Sequence, residues 1–437
     1  MMPAVPAAEP TPATGATLAL PCILVIFGGA GDLARRKLLP GLYNLVVDAV
    51  LPSPFAVLGT GRSQLTDDAF RSLARENVNQ YSRREIDEDT WQRFARQLFF
   101  QIAAPDDPGG YHAIKARLEA IDNELGIPGN RIFYLAIPPS LITDCVGHLH
   151  AAGLIRRPDE AAFSRVIVEK PIGRDLRSAQ HIMVQNHILQ LLTLVAMEPP
   201  WSLDPDVIRD RRLEVLRSLR PIRGQDVDRQ VVRAQYGQGV VESVPVPGYR
   251  REGGINSEST TETYVALEVF IDNWRWAGVP FHVRTGKRLP RHVTEISVQF
   301  KEVPQILFNA NPAARLDPNV LSLRIQPDEG FSLRSLSKVP EAGVRIYPIR
   351  MNYQYGSNFE KVTPEAYERL LVDVMAGDAT LFMRRDSVEA SWSWITPILE
   401  RWAERTERWL PEYAAGHWGP IEADRLIQTT CRDWLVV

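Results

Sequence analysis

Cysteine is scarce in this sequence of 437 residues, where it occurs only at Cys22, Cys145 and Cys431. Three cysteines spaced this far apart form neither a paired metal-binding motif nor a disulfide framework. The scarcity excludes a small disulfide-stabilised scaffold and gives no indication of a metal site. It predicts reduced thiols, as expected for a protein of the cytoplasm.

A strong charge of one sign is also missing. The sequence has 50 Lys and Arg against 53 Asp and Glu, a formal net charge of -3. Because no broad positive field surrounds such a protein, nucleic acid is not expected as a partner. A small anionic ligand would have to be bound by a local cluster of basic residues.

Long apolar runs are lacking as well. The apolar stretch from Leu18 to Phe27 is too short to span a membrane, and no basic segment precedes it as in a secretory signal peptide. We therefore expect neither a membrane protein nor a secreted one. Residues 1–17 are rich in Pro and Ala and offer little apolar surface to offset the entropy of ordering, so they are predicted to be a disordered tail.

What the sequence does contain is an alternation of apolar strands and helical segments over residues 18–180. This alternation predicts right-handed βαβ units and a doubly wound parallel sheet, that is, an α/β Rossmann-like domain. Residues 181–437 are instead rich in strands joined by short connections, which predicts an α+β domain with a large, mainly antiparallel sheet. The strand candidates of the first domain are CILVIFGG, PFAVLGTGR, RIFYLAIPPS and SRVIVEKPIG.

The first strand ends in a cluster of glycines at Gly28, Gly29 and Gly31. Without a Cβ, these residues allow a sharp turn into the next helix and let a pyrophosphate approach the helix N-terminus. Three basic residues follow at positions 35–37. The spacing differs from G-x-G-x-x-G, so a tight turn without a ligand stays an alternative, but the buried strand, the helix and the basic residues favour a dinucleotide site.

Arg62 indicates which dinucleotide is bound. NAD enzymes usually place a carboxylate after the second strand to accept from the ribose 2′-hydroxyl, whereas a 2′-phosphate needs a cation. Here the strand leads into Gly59-Thr60-Gly61-Arg62-Ser63, and the first carboxylate after it is Asp67. The donors of an arginine match a phosphate, so NADP is favoured, although an arginine at a strand end is often only a solvated cap.

Six segments occur in the order of the conserved blocks of one family: GGAGDLARRKLLP, YLAIPP, EKPIGRDL, QNHILQLLTLVAMEPP, DNWRWAGVPF and RTGKRLP. They resemble the glucose-6-phosphate dehydrogenase family from Pro21 nearly to Val437. The resemblance implies oxidation of glucose 6-phosphate to 6-phosphogluconolactone with NADP as hydride acceptor, the first step of the pentose phosphate pathway. It also implies a homo-oligomer.

The resemblance assigns roles to individual residues of this sequence. Its catalytic base falls on His187, and its substrate contacts fall on Lys170 and Lys287. Its cofactor-binding positions fall on Gly28, Gly29, Ala30, Gly31, Asp32, Leu33, Lys37, Arg62 and Lys170.

These residue types suit the chemistry. Hydride leaves C1 of the sugar only as its hydroxyl loses a proton, and a neutral imidazole at His187 is a suitable base. Lysines bind a dianionic sugar phosphate as mobile point charges with several donors. Each residue also has an ordinary alternative: His187 as a polar position on a helix surface, Lys170 as a solvated strand end, and Lys287 as part of a turn.

The sequence departs from the family in one long stretch. The family's RIDHYLGKE segment supplies a carboxylate that orients the base, together with a histidine and a lysine for the substrate phosphate, and it is absent here along with adjoining strands. EKPIGRDLRSAQ instead runs directly into HIMVQNHILQ after Gln180. Ile182 stands where the family has an aspartate, and His282 where it has a tyrosine. The second-domain sheet is therefore expected to be truncated and the activity impaired.

Two other functions stay open. The chain is alternatively a catalytically inactive homologue that binds NADP or acts as a partner subunit. A different Rossmann oxidoreductase acting on a sugar is the third hypothesis, because such enzymes also use an EKP strand end. The close match of the second-domain blocks disfavours this third hypothesis.

The junction after Gln180 has a geometric consequence. Asp175 is a suitable N-cap, and neither Gly nor Pro occurs again until Pro199, so one continuous helix is predicted from Asp175 to Met197. His187 would then lie roughly 18 Å along the helix axis from Asp175, far from a nicotinamide beside Lys170. A break near Gln180 would restore the approach.

Replacement of Arg62 by glutamate tests the cofactor prediction. We expect Arg62→Glu to weaken NADP binding much more than NAD binding, because only NADP carries the 2′-phosphate that the arginine would bind. Titration of both nucleotides against both proteins measures the difference. Unchanged NADP affinity would show that the 2′-phosphate is bound elsewhere.

Overall fold

The computed structural model describes residues 19–157, 159–169, 187–302, 316–340, 346–358, 365–404, 409–430 and 432–435. These residues form two compact units, and each unit is described by itself below. The first contains, of the described residues, 19–169 with 197–214 and 365–389; the remaining described residues form the second. The domain boundary expected at residue 180 falls outside the described residues and stays a prediction.

A five-stranded parallel sheet forms the centre of the first unit, in the order β3-β2-β1-β4-β5. All neighbouring strands run parallel, and β1 lies in the middle, with Phe27 opposite Thr60 of β2. The predicted doubly wound parallel sheet is therefore confirmed. The strands are β1 (Cys22–Phe27), β2 (Phe55–Gly61), β3 (Leu98–Ile102), β4 (Arg131–Leu135) and β5 (Ser164–Val168).

Strand β3 is not predicted by the pattern of the sequence. Its five residues, LFFQI, follow the preceding helix with only two residues between, and neither Gly nor Pro marks the boundary. A run this short shows too little alternation to be distinguished from the end of a helix.

Helices connect the strands of the first unit, and further helices occur in the second unit. A π-helical turn, Ala34–Leu38, leads directly into the first of them, so the helical segment predicted after the glycine turn is confirmed. Three helices begin at side-chain caps, where Thr66, Asp87 and Asp107 accept from backbone N–H groups. The helices are α1 (Leu39–Val47), α2 (Asp67–Tyr81), α3 (Glu88–Ala95), α4 (Pro108–Leu125), α5 (Ile142–Ala151), α6 (Leu189–Ala196), α7 (Pro205–Arg217), α8 (Gln225–Gln230), α9 (Tyr355–Asn358), α10 (Ala366–Ala376), α11 (Arg385–Glu404) and α12 (Ile421–Gln428).

Apolar side chains cover both faces of the parallel sheet. Alternate residues of a strand point to opposite faces, so Leu24 of β1 lies in one cluster and Ile23 in another. The Leu24 cluster includes α1, α2 and α3, and the Ile23 cluster includes α4 and α5. Helix α10 contributes Leu371 and Met375 to the Leu24 cluster. A helix from the last quarter of the chain therefore completes the core of the first unit.

A buried carboxylate anchors α10 in this unit. Glu368 is 1% exposed, and it accepts hydrogen bonds from Asn44 Nδ2 and Arg83 Nη2, both at 2.8 Å. Arg83 also donates to Asp48 at 2.7 Å. Because a buried charge is costly unless it is paired and hydrogen-bonded, these contacts make the position of Glu368 specific.

The second unit is built on antiparallel strands, as predicted. Two four-stranded sheets have the orders β10-β9-β6-β15 and β11-β12-β13-β14, and β7 and β8 form a two-stranded ribbon. Among the described strands of this unit, only β15 runs parallel to its neighbour. The predicted antiparallel domain is confirmed, and its described strands form two four-stranded sheets and a ribbon. The strands are β6 (Val231–Gly237), β7 (Gly239–Val241), β8 (Val244–Val246), β9 (Tyr264–Val269), β10 (Phe281–Gly286), β11 (Thr294–Gln299), β12 (Val320–Gln326), β13 (Gly330–Lys338), β14 (Ile346–Gln354) and β15 (Glu412–Ala414).

Within the described ranges, none of the helices is both long enough and apolar enough to cross a bilayer.

The anchoring of α10 gives a stability prediction. We expect Glu368→Ala to lower the free energy of unfolding by about 3 kcal/mol, because Asn44 and Arg83 lose a buried acceptor. Urea unfolding followed by circular dichroism measures the change. Glu88→Ala is the control, since Glu88 pairs with Arg75 at an exposed site and its loss should cost far less stability. Equal losses in the two variants would contradict the anchoring role.

Candidate dinucleotide and substrate sites

The glycine turn after β1 is tightly packed against its neighbours. Gly28 has a φ of +85°, and a Cβ on it would lie 2.4 Å from the carbonyl oxygen of Ala136. A Cβ on Gly29 would lie 2.7 Å from the Cα of Gly59 in β2. Both contacts are with backbone, which has little freedom to move. The two glycines are therefore required by the packing of the protein itself.

One carbonyl group on β2 holds this turn in place. The N–H groups of Gly28 and Gly29 both donate to Thr60 O, at 2.8 and 3.0 Å, and the N–H of Gly31 donates to Gly28 O at 2.8 Å. These three donors are consequently not available to a ligand. No sequence pattern predicts this role for Thr60, although it lies only two residues before Arg62.

Three other N–H groups of the turn remain available. Ala30, Asp32 and Leu33 make no backbone hydrogen bond through their N–H groups within the described structure. They stand at the start of the helical segment, where the first N–H groups have no intrahelical partner and the helix dipole favours an anion. A phosphate is the ligand that such donors suit.

The basic residues one turn into the helix are engaged within the protein. Arg35 donates to Asn77 Oδ1 at 3.3 Å, and Arg36 lies 3.4 Å from Asp32 Oδ1. Lys37 Nζ lies 2.9 Å from Glu365 Oε2. An anionic ligand at the turn would meet these cations already partnered.

Arg62 lies beside the same edge of the sheet. Arg62 follows β2 directly. Because the carboxyl ends of parallel strands lie at the same edge of a sheet, the turn after β1 and the residue after β2 are neighbours. Its side chain is exposed and forms no ion pair with any residue that the structure describes. The structure thus brings together the glycine turn and Arg62, and their role in binding a cofactor stays a prediction.

The end of β5 carries a contact that the sequence did not indicate. The hydroxyl of Tyr134, in β4, donates to Glu169 Oε1 directly after β5. Tyr134 is buried, and its burial and this hydrogen bond raise its pKa far above the ordinary value. Lys170, the next residue, lies outside the described residues, so its predicted roles stay predictions. No local pattern announces a pair separated by 35 positions.

His187 belongs to the second unit. It is exposed and stands two residues before α6 (Leu189–Ala196). Residues 170–186 lie outside the described residues, and Ile182 is among them. The continuous helix from Asp175 therefore stays a prediction.

Lys287 also belongs to the second unit and has a fixed backbone. Its N–H donates to Thr263 O at 2.9 Å, and its carbonyl accepts from the hydroxyl of Tyr413 at 2.6 Å. Its side chain is exposed and makes no ion pair with the described residues, whereas the next residue, Arg288, pairs with Glu252 at 3.1 Å. Such a lysine is positioned by its main chain and retains a charge for a ligand.

His282 occupies a buried position on β10. Its side chain is 7% exposed and lies 3.5 Å from Glu268 Oε1, with its ring 6.2 Å from that of Trp434. Burial, together with the smaller effect of the positive charge of Arg432, lowers the pKa of His282 to about 4. The imidazole is therefore neutral near pH 7 and acts as a core side chain.

Comparison with known proteins agrees with this geometry. Residues 25–192 match the family model described as "Glucose-6-phosphate dehydrogenase, NAD binding domain", and residues 178–435 match "Glucose-6-phosphate dehydrogenase, C-terminal domain". The chain belongs to the glucose-6-phosphate dehydrogenase family. The resemblance and the two-domain fold class derived from the sequence are thereby confirmed.

Individual members of the glucose-6-phosphate dehydrogenase family match over nearly their whole length. The glucose-6-phosphate 1-dehydrogenase of Chlamydia pneumoniae is 37% identical, covering 95% of this chain and 96% of the relative. That of Mycolicibacterium smegmatis is 37% identical, covering 95% and 97%. A solved glucose-6-phosphate dehydrogenase in complex with glucose 6-phosphate has a TM-score of 0.82 at 26% identity, covering 96% of this chain and 99% of that chain. The Mycobacterium avium enzyme has a TM-score of 0.74 at 29% identity, covering 95% and 98%.

The alignments also bear on the missing stretch. The match to the Chlamydia pneumoniae enzyme extends over 493 positions, more than the 437 residues of this chain, so many positions of the relative have no counterpart here. The two family models meet in an overlap at residues 178–192, which contains the junction after Gln180. Both observations agree with a family member that lacks an internal segment.

The packing of the glycine turn yields a prediction for Gly28→Ala. We expect this variant to lose about 3 kcal/mol or more of stability, since the new Cβ meets the Ala136 carbonyl and alanine disfavours a positive φ. Thermal unfolding measures the loss. Gly147→Ala is the control, because no atom lies within 4 Å of a Cβ built on this glycine of α5, and it should be neutral or stabilising. A Gly28→Ala protein as stable as the control would refute the packing argument.

Proposed function

We propose that this chain binds NADP and catalyses the oxidation of glucose 6-phosphate to 6-phosphogluconolactone at a reduced rate. The observation that carries the proposal is the sheet edge at which Arg62 lies beside N–H groups of the turn, none of which has an ion-pair or backbone partner among the described residues. Family membership supplies the reaction. The chain would then act in the first step of the pentose phosphate pathway.

The residues at this edge fit NADP chemically. The N–H groups of Ala30, Asp32 and Leu33 would donate hydrogen bonds to the pyrophosphate. Gly28 and Gly29 allow the turn to pack closely enough to expose these N–H groups. Arg62 binds the 2′-phosphate, and with NAD it would gain no such partner. When bound, the dinucleotide supplies the acceptor for the hydride that leaves C1 of the sugar.

The residues of the reaction itself are assigned by family resemblance. His187 accepts the proton of the C1 hydroxyl, and Lys287 binds the phosphate of the sugar with a side chain that has no ion pair among the described residues. Lys170 contributes to both the nicotinamide side and the substrate. The hydrogen bond from the buried Tyr134 to Glu169 fixes the end of β5 directly before Lys170.

One alternative is favoured by a specific observation. The absence of RIDHYLGKE removes the carboxylate that orients the base, and Ile182 replaces a family aspartate. A chain that binds NADP without turnover, alone or as a partner subunit, is the second candidate function.

We further infer a homo-oligomer in the cytoplasm. Its NADP-binding domain would extend over residues 18–180 and its substrate and oligomerisation domain over residues 181–437. These inferences rest on the family.

A paired assay tests the proposal. We expect NADP to raise the thermal unfolding temperature, while NADPH formation from glucose 6-phosphate falls below that of an intact family member by as much as about 10⁴-fold, as when a catalytic histidine loses its carboxylate. His187→Ala should abolish the remaining turnover. His112→Ala, at an exposed position on α4, is the control and should leave it unchanged.

Three outcomes separate the candidate functions. Stabilisation by NADP with no NADPH formed would select the non-catalytic homologue. No stabilisation would refute the cofactor assignment. Turnover at the level of intact relatives, lost in His187→Ala, would show that the missing segment is not needed to orient the base.

A further inference from the structure

An ion pair joins the cofactor turn to α10. Lys37 Nζ lies 2.9 Å from Glu365 Oε2, and the two side chains are 44% and 43% exposed. An ion pair open to water to this extent contributes little to stability and is easily exchanged for another partner. Lys37 can therefore leave Glu365 when a stronger anion is near.

Glu365 itself is held in place. It is the N-cap residue of α10, where a negative charge interacts favourably with the helix dipole. One turn further, the buried Glu368 fixes the same helix to Asn44 and Arg83. The backbone of Glu365 is thus fixed next to Lys37 by the contacts of its helix.

The cations next to Lys37 have partners of their own. Arg35 is bonded to Asn77, and Arg36 is paired with Asp32 and lies 5.6 Å over the ring of Tyr81. Lys37 has the most flexible side chain of the three and ends in a compact ammonium group, which suits it to follow a phosphate.

We propose that Glu365 limits the affinity for NADP by competing with the cofactor's phosphates for Lys37. The inference rests on the proposed function and adds a residue, contributed from the last quarter of the chain, that sets the strength of cofactor binding. Glu365 opposes the phosphates by holding Lys37 and by its own negative charge. Binding of NADP correspondingly weakens the contact between Lys37 and α10.

Titration calorimetry of NADP with Glu365→Gln tests this proposal. The amide keeps the size of the side chain and removes the charge, so we expect the dissociation constant to fall by about two- to fivefold, the range that a half-exposed ion pair allows. Glu88→Gln is the matched control, because Glu88 forms a similarly exposed pair with Arg75 at 2.7 Å in the same unit. It should leave the dissociation constant unchanged.

A double-mutant cycle shows whether the effect passes through Lys37. In a Lys37→Met background, which should itself weaken binding, Glu365→Gln is expected to give a clearly smaller gain. Thermal unfolding verifies that each variant folds. If the wild type binds NADP but Glu365→Gln binds equally or less tightly, or gains equally without Lys37, this inference is overturned and the proposed function stands. If the wild type does not bind NADP at all, the proposed function fails and takes the inference with it.

Discussion

The close approach of the glycine turn to the end of β2 is the constraint on which the cofactor side of this protein depends. Thr60 O accepts from two successive glycines, and no Cβ fits between Gly28 and the Ala136 carbonyl. Because those N–H groups already donate within the protein, the donors left for a phosphate are the N–H groups at the start of the helix. The glycines serve the packing directly and the ligand indirectly, through the position that the packing gives to the helix.

The unit that carries this turn is assembled from distant parts of the chain. Helix α10 adds apolar side chains to the core beside β1 and is fixed at both ends. Near its start Glu368 is paired with Arg83, and at its end Arg165 donates to the carbonyls of Val374 and Met375 at 2.6 and 2.8 Å. A helix held so firmly gives Glu365 a defined place beside Lys37. Under our proposal, this ion pair links cofactor binding to the C-terminal part of the chain.

Membership of the glucose-6-phosphate dehydrogenase family and loss of an internal segment affect different functions. The glycine turn and Arg62 precede the junction after Gln180, while His187 and Lys287 follow it. The carboxylate that orients the base in the family belongs to the missing stretch. In the proposed function, cofactor binding and turnover are therefore expected to be separable, because apart from Lys170 the residues assigned to each lie on opposite sides of the junction.

Local patterns in the sequence determined the parts of the structure that depend on local properties. A continuous apolar run made β1 predictable, glycine's freedom at positive φ identified the turn, and the charge of Arg62 at a strand end indicated a phosphate. Family blocks then assigned roles to His187 and Lys287, and these roles stay predictions. Short strands without flanking Gly or Pro, such as β3, could not be predicted, because five residues carry too little pattern.

Only the tertiary structure decided which distant residues meet. Lys37 and Glu365 are 328 positions apart, and nothing local to either residue encodes the partner. The hydrogen bond from Tyr134 to Glu169 and the inclusion of α10 in the first unit have the same origin. Such contacts arise when apolar faces pack and bring polar groups into reach, so they follow from the assembled core and not from the order of residues around each group.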